Sequence, residues 1–223
     1  MTRLNHKAMT LVPRRAPQGA RGFTLIEVMV TIFVLVFGLL GVIGMQTRAS
    51  AAEFESYQRG QALSIARDMQ ARLLSSRGIL AGYLDPSISS TDGSIYFGNG
   101  TGASSFAGVG GGCPAPVAGD PLSEAKYQVC TWGVDLQGVA VKEGGDAVGA
   151  MLGARGCVLQ VNPPQLNALA DLYVVIVWQG IGIRAEPTID SPAGQCAPDV
   201  NFGRGLRRGV SVRVLVPDLR KSS

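Results

Sequence analysis

Histidine is all but missing from this chain: its 223 residues include one, His6. Triads that need an imidazole base, and metal sites built on histidine, therefore have no material beyond position 6. The four cysteines show no C-x-x-C spacing, which removes the common zinc pattern too. Asp135, Glu143, Asp146, Asp171, Glu186 and Asp190 could supply paired carboxylates, but they follow no recognisable spacing. The expectation is a protein that is not an enzyme, with no catalytic residue, no metal site and no cofactor. Acidic residues are absent from the first 22 positions, which hold Arg3, Lys7, Arg14, Arg15 and Arg21. Proline is absent between Pro17 and Pro86, and charge of either sign between Glu27 and Arg48.

That last gap is an apolar run. As a helix, residues 23–46 would be roughly 36 Å long at about 1.5 Å per residue, enough to cross a hydrocarbon core of about 30 Å. Basic residues ahead of a first apolar span hold that side in the cytoplasm, so the bulk of the chain is expected on the periplasmic or outer side. A secretory signal has a shorter core, of about 7–15 residues, with a small-x-small site behind it. Ala49-Ser50-Ala51 resembles such a site, and cleavage there is the alternative. The favoured cut falls ahead of the run, between Gly22 and Phe23, because only that leaves Glu27 beside a new amine. An isolated carboxylate within a membrane helix costs several kcal/mol and is usually paired.

Gly22-Phe23-Thr24-Leu25-Ile26-Glu27 resembles, at every position, the prepilin cleavage and methylation motif of type IV pilins and the related pseudopilins. The continuation through Phe37-Gly38-Leu39-Leu40-Gly41-Val42-Ile43-Gly44-Met45-Gln46 looks more narrowly like the minor pilins called PilV. The resemblance covers about the first quarter of the chain. It implies that a prepilin peptidase cuts after Gly22 and methylates the amine of Phe23, and that Glu27 neutralises the amine of a neighbouring subunit during assembly. The implied protein starts as a single-pass protein of the bacterial inner membrane and ends in a pilus at the cell surface. Its implied partners are other minor pilins, the major pilin, the prepilin peptidase and methyltransferase, the inner-membrane assembly platform and a tip adhesin. Its implied role is to prime pilus assembly within a minor-pilin complex at the tip. A minor pseudopilin of a type II secretion system is one alternative. An exported DNA- or receptor-binding module is another.

Some features depart from the family pattern. The leader of 22 residues is longer than the shortest in the family, and Met9 offers a second start. No proline falls in the membrane segment; Gly38, Gly41 and Gly44 stand there instead at intervals of three. Each weakens a helix by about 1 kcal/mol relative to alanine. Together they would let the helix stretch or bend in a filament, or let another helix approach closely.

Residues 47–78 keep helical character, with Phe54, Tyr57, Ala62, Ile65, Met69 and Leu73 read as a core-facing stripe. Joined to the apolar run, this would make one helix of roughly 80 Å. The remainder, 79–223, is expected to form a globular head. Residues 82–122 are rich in Gly, Ser, Ala and Pro and read as loop. Strand candidates are 127–132, 139–142, 157–161, 172–179 and 210–216, the last alternating clearly. The expected fold is α+β, a long N-terminal helix on a small antiparallel sheet, of type IV pilin-like layout. Cys113, Cys130, Cys157 and Cys196 all lie beyond the apolar run and suggest two disulfides. Three pairings are open; Cys113–Cys130 with Cys157–Cys196 is preferred, since it would tie the loop region and the C-terminal segment to the sheet.

Gly180-Ile181-Gly182-Ile183-Arg184-Ala185 fits G-x-G-x-x-[GA], but Glu186-Pro187-Thr188 opens a helix poorly, and the stretch reads as a turn ending a strand. Asn99-Gly100-Thr101, formally a glycosylation sequon, reads as a turn. The net charge of +4 is carried by the leader, whose five cations leave the rest at −1 once removed. Arg204, Arg207, Arg208, Arg213, Arg220 and Lys221 cluster in the tail. They read as guards of a solvated edge strand rather than as a nucleic-acid surface.

Overall fold

The computed structural model describes residues 22–83, 97–98, 112–138, 142–143, 146–147, 151–161 and 168–217. The leader through Arg21, residues 139–141 of the strand candidate at 139–142, Asn99-Gly100-Thr101, Arg220 and Lys221 lie outside them. The chain forms two compact units, Met1–Thr47 and Arg48–Ser223. Helix α1, Leu25–Ser75, supplies the regular structure described in the first and opens the second.

In the second unit α1 is braced by an i,i+4 pair, with Arg72 Nη2 2.7 Å from Asp68 Oδ2. Its buried positions are Gln58, Ala62, Ala66, Met69 and Leu73, at steps of three and four. Ile65 is half-buried beside them. Phe54 and Tyr57, expected on the same stripe, are exposed. The covered face begins a turn later, at Gln58.

The helix ends at Ser75. A single 3-10 turn, Arg77–Ile79, leads into α2, Leu80–Tyr83. After β1, Phe97–Gly98, comes α3, Pro121–Leu136. The expected strand at 127–132 is therefore the middle of a helix. Asp120 is its N-cap, accepting from the Leu122 N–H at 3.0 Å, and Pro121 occupies the first turn, where its missing donor costs nothing. The stretch 82–122, expected as loop, is thus helical at both ends. Gly82 lets α2 lie close to α3: a Cβ there would stand 2.8 Å from Ala125 Cβ.

β2, Lys142–Glu143, and β3, Asp146–Ala147, form a separate antiparallel pair. The main sheet has the order β1-β4-β5-β6, all antiparallel, with β4 at Arg155–Gln160, β5 at Ala168–Gln179 and β6 at Arg207–Pro217. The strand expectations at 157–161, 172–179 and 210–216 fall on these three strands. Between β5 and β6 lies a long connection that holds one short helix, α4, Pro192–Gln195.

Alternation along β5 sorts the two faces. Leu172, Val174, Ile176 and Trp178 join Val158 of β4 and Val210, Val214 and Val216 of β6 in the main core, with Ala62, Ala66, Met69 and Leu73 of α1 and Val129, Trp132 and Leu136 of α3. Val175 and Val177 face the other way, with Cys157, Leu159, Ala193, Cys196, Ala197 and Phe202. On β6, Ser211, Arg213 and Leu215 alternate outward and are exposed, as the sequence pattern predicts. Arg72 ties α1 to α3: its guanidinium donates to Gln128 O (3.0 Å), Thr131 Oγ1 (2.5 Å) and Asp135 Oδ2 (3.2 Å).

Candidate functional site: the start of the amino-terminal helix

Gly22, Phe23 and Thr24 are non-helical, and α1 begins at Leu25. Thr24 stands at the N-cap. Its carbonyl accepts from the N–H groups of Glu27 (3.1 Å) and Val28 (3.3 Å), and its Oγ1 lies 3.4 Å from the same Glu27 nitrogen. Thr-x-x-Glu is the sequence of a capping box, and one half of it is made here. Sequence reading gave Thr24 no role of its own, although that spacing was there to be seen. Glu27 falls in the first turn, where the helix dipole favours a negative charge. The Gly22–Phe23 bond precedes the cap, in exposed, irregular backbone that a peptidase can reach without unwinding helix.

Between Glu27 and Arg48 the side chains of α1 are mostly apolar and all exposed: Ile32, Phe33, Leu35, Phe37, Leu39 and Ile43 all leave more than half their surface free. Among the described residues this is the one helix long and apolar enough to cross a membrane. The two hydroxyl side chains between Glu27 and Arg48 are satisfied within the helix, Thr31 Oγ1 donating to Val28 O at 2.8 Å and Thr47 Oγ1 to Ile43 O at 3.0 Å. That is what an apolar surrounding demands. The Glu27 carboxylate, by contrast, has no hydrogen bond or ion pair among the described residues. Helix α1 runs unbroken through Gly38, Gly41 and Gly44, and a Cβ at any of them would meet nothing within 4 Å. Ala49-Ser50-Ala51 is also helical, so cleavage there would first require unwinding.

The cysteines are joined as Cys113–Cys130 and Cys157–Cys196, with Cα atoms 5.6 and 5.7 Å apart. Among the described residues no group of His, Cys, Asp and Glu is placed to hold a metal ion. Three of the tail arginines are engaged within the fold. Arg207 donates to the carbonyls of Cys196 and Ala197, Arg208 to Glu55 and the Gly182 carbonyl, and Arg213 to the buried Asp171 through Nε at 2.9 Å and Nη2 at 2.6 Å. Arg207 and Arg208 are thus internal braces, which corrects the reading of a solvated guard for these two, whereas Arg204 and Arg213 are exposed and Arg220 and Lys221 lie outside the described residues. Gly180–Arg184 is a bend after β5, as expected, and no helix opens at Glu186-Pro187-Thr188.

Residues 18–43 match the family model described as the prokaryotic N-terminal methylation motif. No curated protein and no solved structure matches the chain. The matched stretch contains the non-helical Gly22 and Phe23, the Thr24 cap, Glu27 and the exposed apolar turns that follow. The chain therefore carries, at the head of a membrane-length helix, a prepilin signal of the type IV pilin-like kind.

Proposed function

We propose that the chain is a minor pilin of a type IV pilus, of the PilV type. A prepilin peptidase removes the first 22 residues and methylates Phe23. The helix anchors the chain in the inner membrane with its globular unit in the periplasm, and then enters the pilus within a minor-pilin complex that primes assembly and sits at the tip. The observation that carries this reading is the placement of the Gly22–Phe23 bond and Glu27 on either side of one N-cap, at the start of an uncovered apolar helix. Cleavage there leaves a new amine one residue ahead of the cap, and a carboxylate in the first turn with no partner among the described residues to compete for a neighbour's amine. The work is done by helix packing and surface matching, without catalysis. Gly38, Gly41 and Gly44 leave open backbone where another helix can approach closely.

Intact mass and N-terminal sequencing of the protein from membranes or sheared pili test the processing step. N-methylated Phe23 at the terminus is expected; a chain beginning at Ala52 would void the role given to Glu27. Glu27→Ala should leave insertion and cleavage intact while reducing incorporation into pili. Normal incorporation of that variant would sink the charge-pairing role alone.

A further inference from the structure

A cleft of about 340 Å³ opens in the second unit between one face of α1 and the end of β5. Glu55, Ser56 and Arg59 line it from the helix, and Trp178, Arg184 and Arg208 from the sheet side. Glu55 is fully engaged. Its Oε1 accepts from Arg208 Nη2 at 3.2 Å and from the Gly182 N–H at 3.4 Å, and its Oε2 from Arg184 Nε at 2.8 Å. Partial burial would raise its pKa, but the Gly182 hydrogen bond and the two guanidinium groups outweigh that and hold it below the usual carboxylate range.

One carboxylate against three guanidinium groups leaves the cleft at +2. The surplus has a location. Arg59 lies one turn beyond Glu55 on the same face, where an i,i+4 Glu–Arg pair would ordinarily form. Glu55 is already taken by arginines from the sheet side, and exposed Arg59 has no hydrogen bond or ion pair among the described residues. The chain on either side of the Gly182–Glu55 contact is apolar. Ile181 and Ile183 flank the Gly182 contact and are 55% and 83% exposed, while Trp178 beneath is almost fully buried.

A forked, permanently charged donor beside exposed aliphatic side chains matches a carboxylate carried on an apolar segment. It does not match an anionic membrane surface, which is read by flat clusters of about 4–8 cations. We propose that this cleft is a docking site for an acidic side chain, flanked by apolar residues, from a neighbouring protein subunit. The neighbour being a subunit of the same assembly rests on the function proposed above; the chemistry of the cleft does not.

The test uses the full mature chain in nanodiscs of phosphatidylcholine. The probes are a fluorescein-labelled peptide alternating glutamate and leucine, its lysine–leucine counterpart, and short-chain phosphatidylglycerol. The glutamate peptide should bind and perturb the emission of Trp178, and the lysine peptide should not. Arg59→Gln should weaken binding about tenfold, the value of one charge-assisted hydrogen bond, and Arg59→Glu further. Arg204→Glu, an exposed arginine outside the cleft, should leave it unchanged. Equal losses with Arg204→Glu would overturn the proposal in favour of diffuse charge. Arg59-dependent binding of the lipid without binding of the peptide would overturn it in favour of a headgroup site. The result is separable from the pilin reading: no binding by a chain that begins at methylated Phe23 removes the cleft alone, and binding by a chain that begins elsewhere keeps the cleft and removes the assembly.

Discussion

Gly156 should not tolerate even a methyl group, and the reason can be worked from its surroundings. An alanine Cβ there would stand 2.5 Å from Trp132 Cη2, 2.7 Å from Trp132 Cζ3 and 2.7 Å from Leu136 Cδ1. Carbon atoms pack best at about 3.5–4.0 Å, so something must move by about 1 Å. The ring is poorly placed to yield, being fully buried and held by a hydrogen bond from its Nε1–H to Ile65 O at 3.1 Å. Nor is the strand free, since Gly156 is paired with Ile176 on one side and Phe97 on the other. Overpacking costs about 1–3 kcal/mol, and with both sides fixed Gly156→Ala belongs in the upper half of that range. For a chain of this size that is a fall of about 5–10 °C in Tm. Urea and thermal unfolding of the full chain in detergent, followed by tryptophan emission, measures it. Trp132→Leu makes room, so the double variant should lose less than the two singles together, with a coupling of about 1 kcal/mol. A Gly156→Ala protein within about 0.5 kcal/mol of the parent, or strictly additive losses, would refute the packing argument.

The disulfides should differ in worth. The bridge of sequence separation 39, Cys157–Cys196, constrains the unfolded chain by about 4 kcal/mol, and that of separation 17, Cys113–Cys130, by about 3 kcal/mol. Paired Cys→Ala variants compared by urea midpoint should show that order, and the reverse order would mean that native-state packing rather than chain entropy decides. Acid should act through Glu55, whose pKa is lower folded than unfolded: its contribution is complete above the unfolded value of about 4.3 and disappears as pH falls through the folded one. Glu55→Gln should therefore be less stable than the parent at pH 7 and lose less on acidification below pH about 4; parallel pH profiles would show that Glu55 is not the titrating group.

What the sequence disclosed depended on whether the signal was local. Helix α1 was legible because it is long, lacks proline and carries a motif at its start. The three main strands were legible because β-branched runs stop at Gly and Pro. Residues 127–132 misled because Tyr127, Val129, Thr131 and Trp132 favour strands individually. The competing signal was Asp120-Pro121, a cap followed by a first-turn proline, together with Ala125, Val129, Trp132 and Leu136 at steps of three and four. Periodicity and capping outweighed propensity. The stripe on α1 was right from Ala62 onward and wrong at Phe54 and Tyr57, because a period gives direction along a helix but not where its cover begins. The tail arginines were visible as a cluster, whereas their tasks were not: Arg208 and Glu55 are 153 residues apart. At the candidate site the Gly22–Phe23 bond, the Thr24 cap and the Glu27 carboxylate all fall within six consecutive residues, so the motif was legible as a local pattern, although the cap within it was not recognised.

The unequal cover of the two sheet faces explains where the chain places its covalent and polar ties. The main core receives α1, α2 and α3, and large side chains such as Trp132, Met69 and Leu136 fill it. Among the described residues the other face has only four-residue α4 and the irregular connection around it, contributing Ala193, Cys196, Ala197 and Phe202. So little apolar area cannot hold a long connection against its conformational entropy. Cys157–Cys196 fixes the connection to β4, and Arg207, stacked on Phe202 at 5.1 Å, holds the carbonyls of Cys196 and Ala197 from β6. Ala197, buried with a left-handed φ of 50°, sits between these ties. Such a conformation costs an alanine about 1 kcal/mol and persists where its surroundings over-determine it. The bridge and the guanidinium supply that determination, and they bring order to a segment that its composition alone would leave loose.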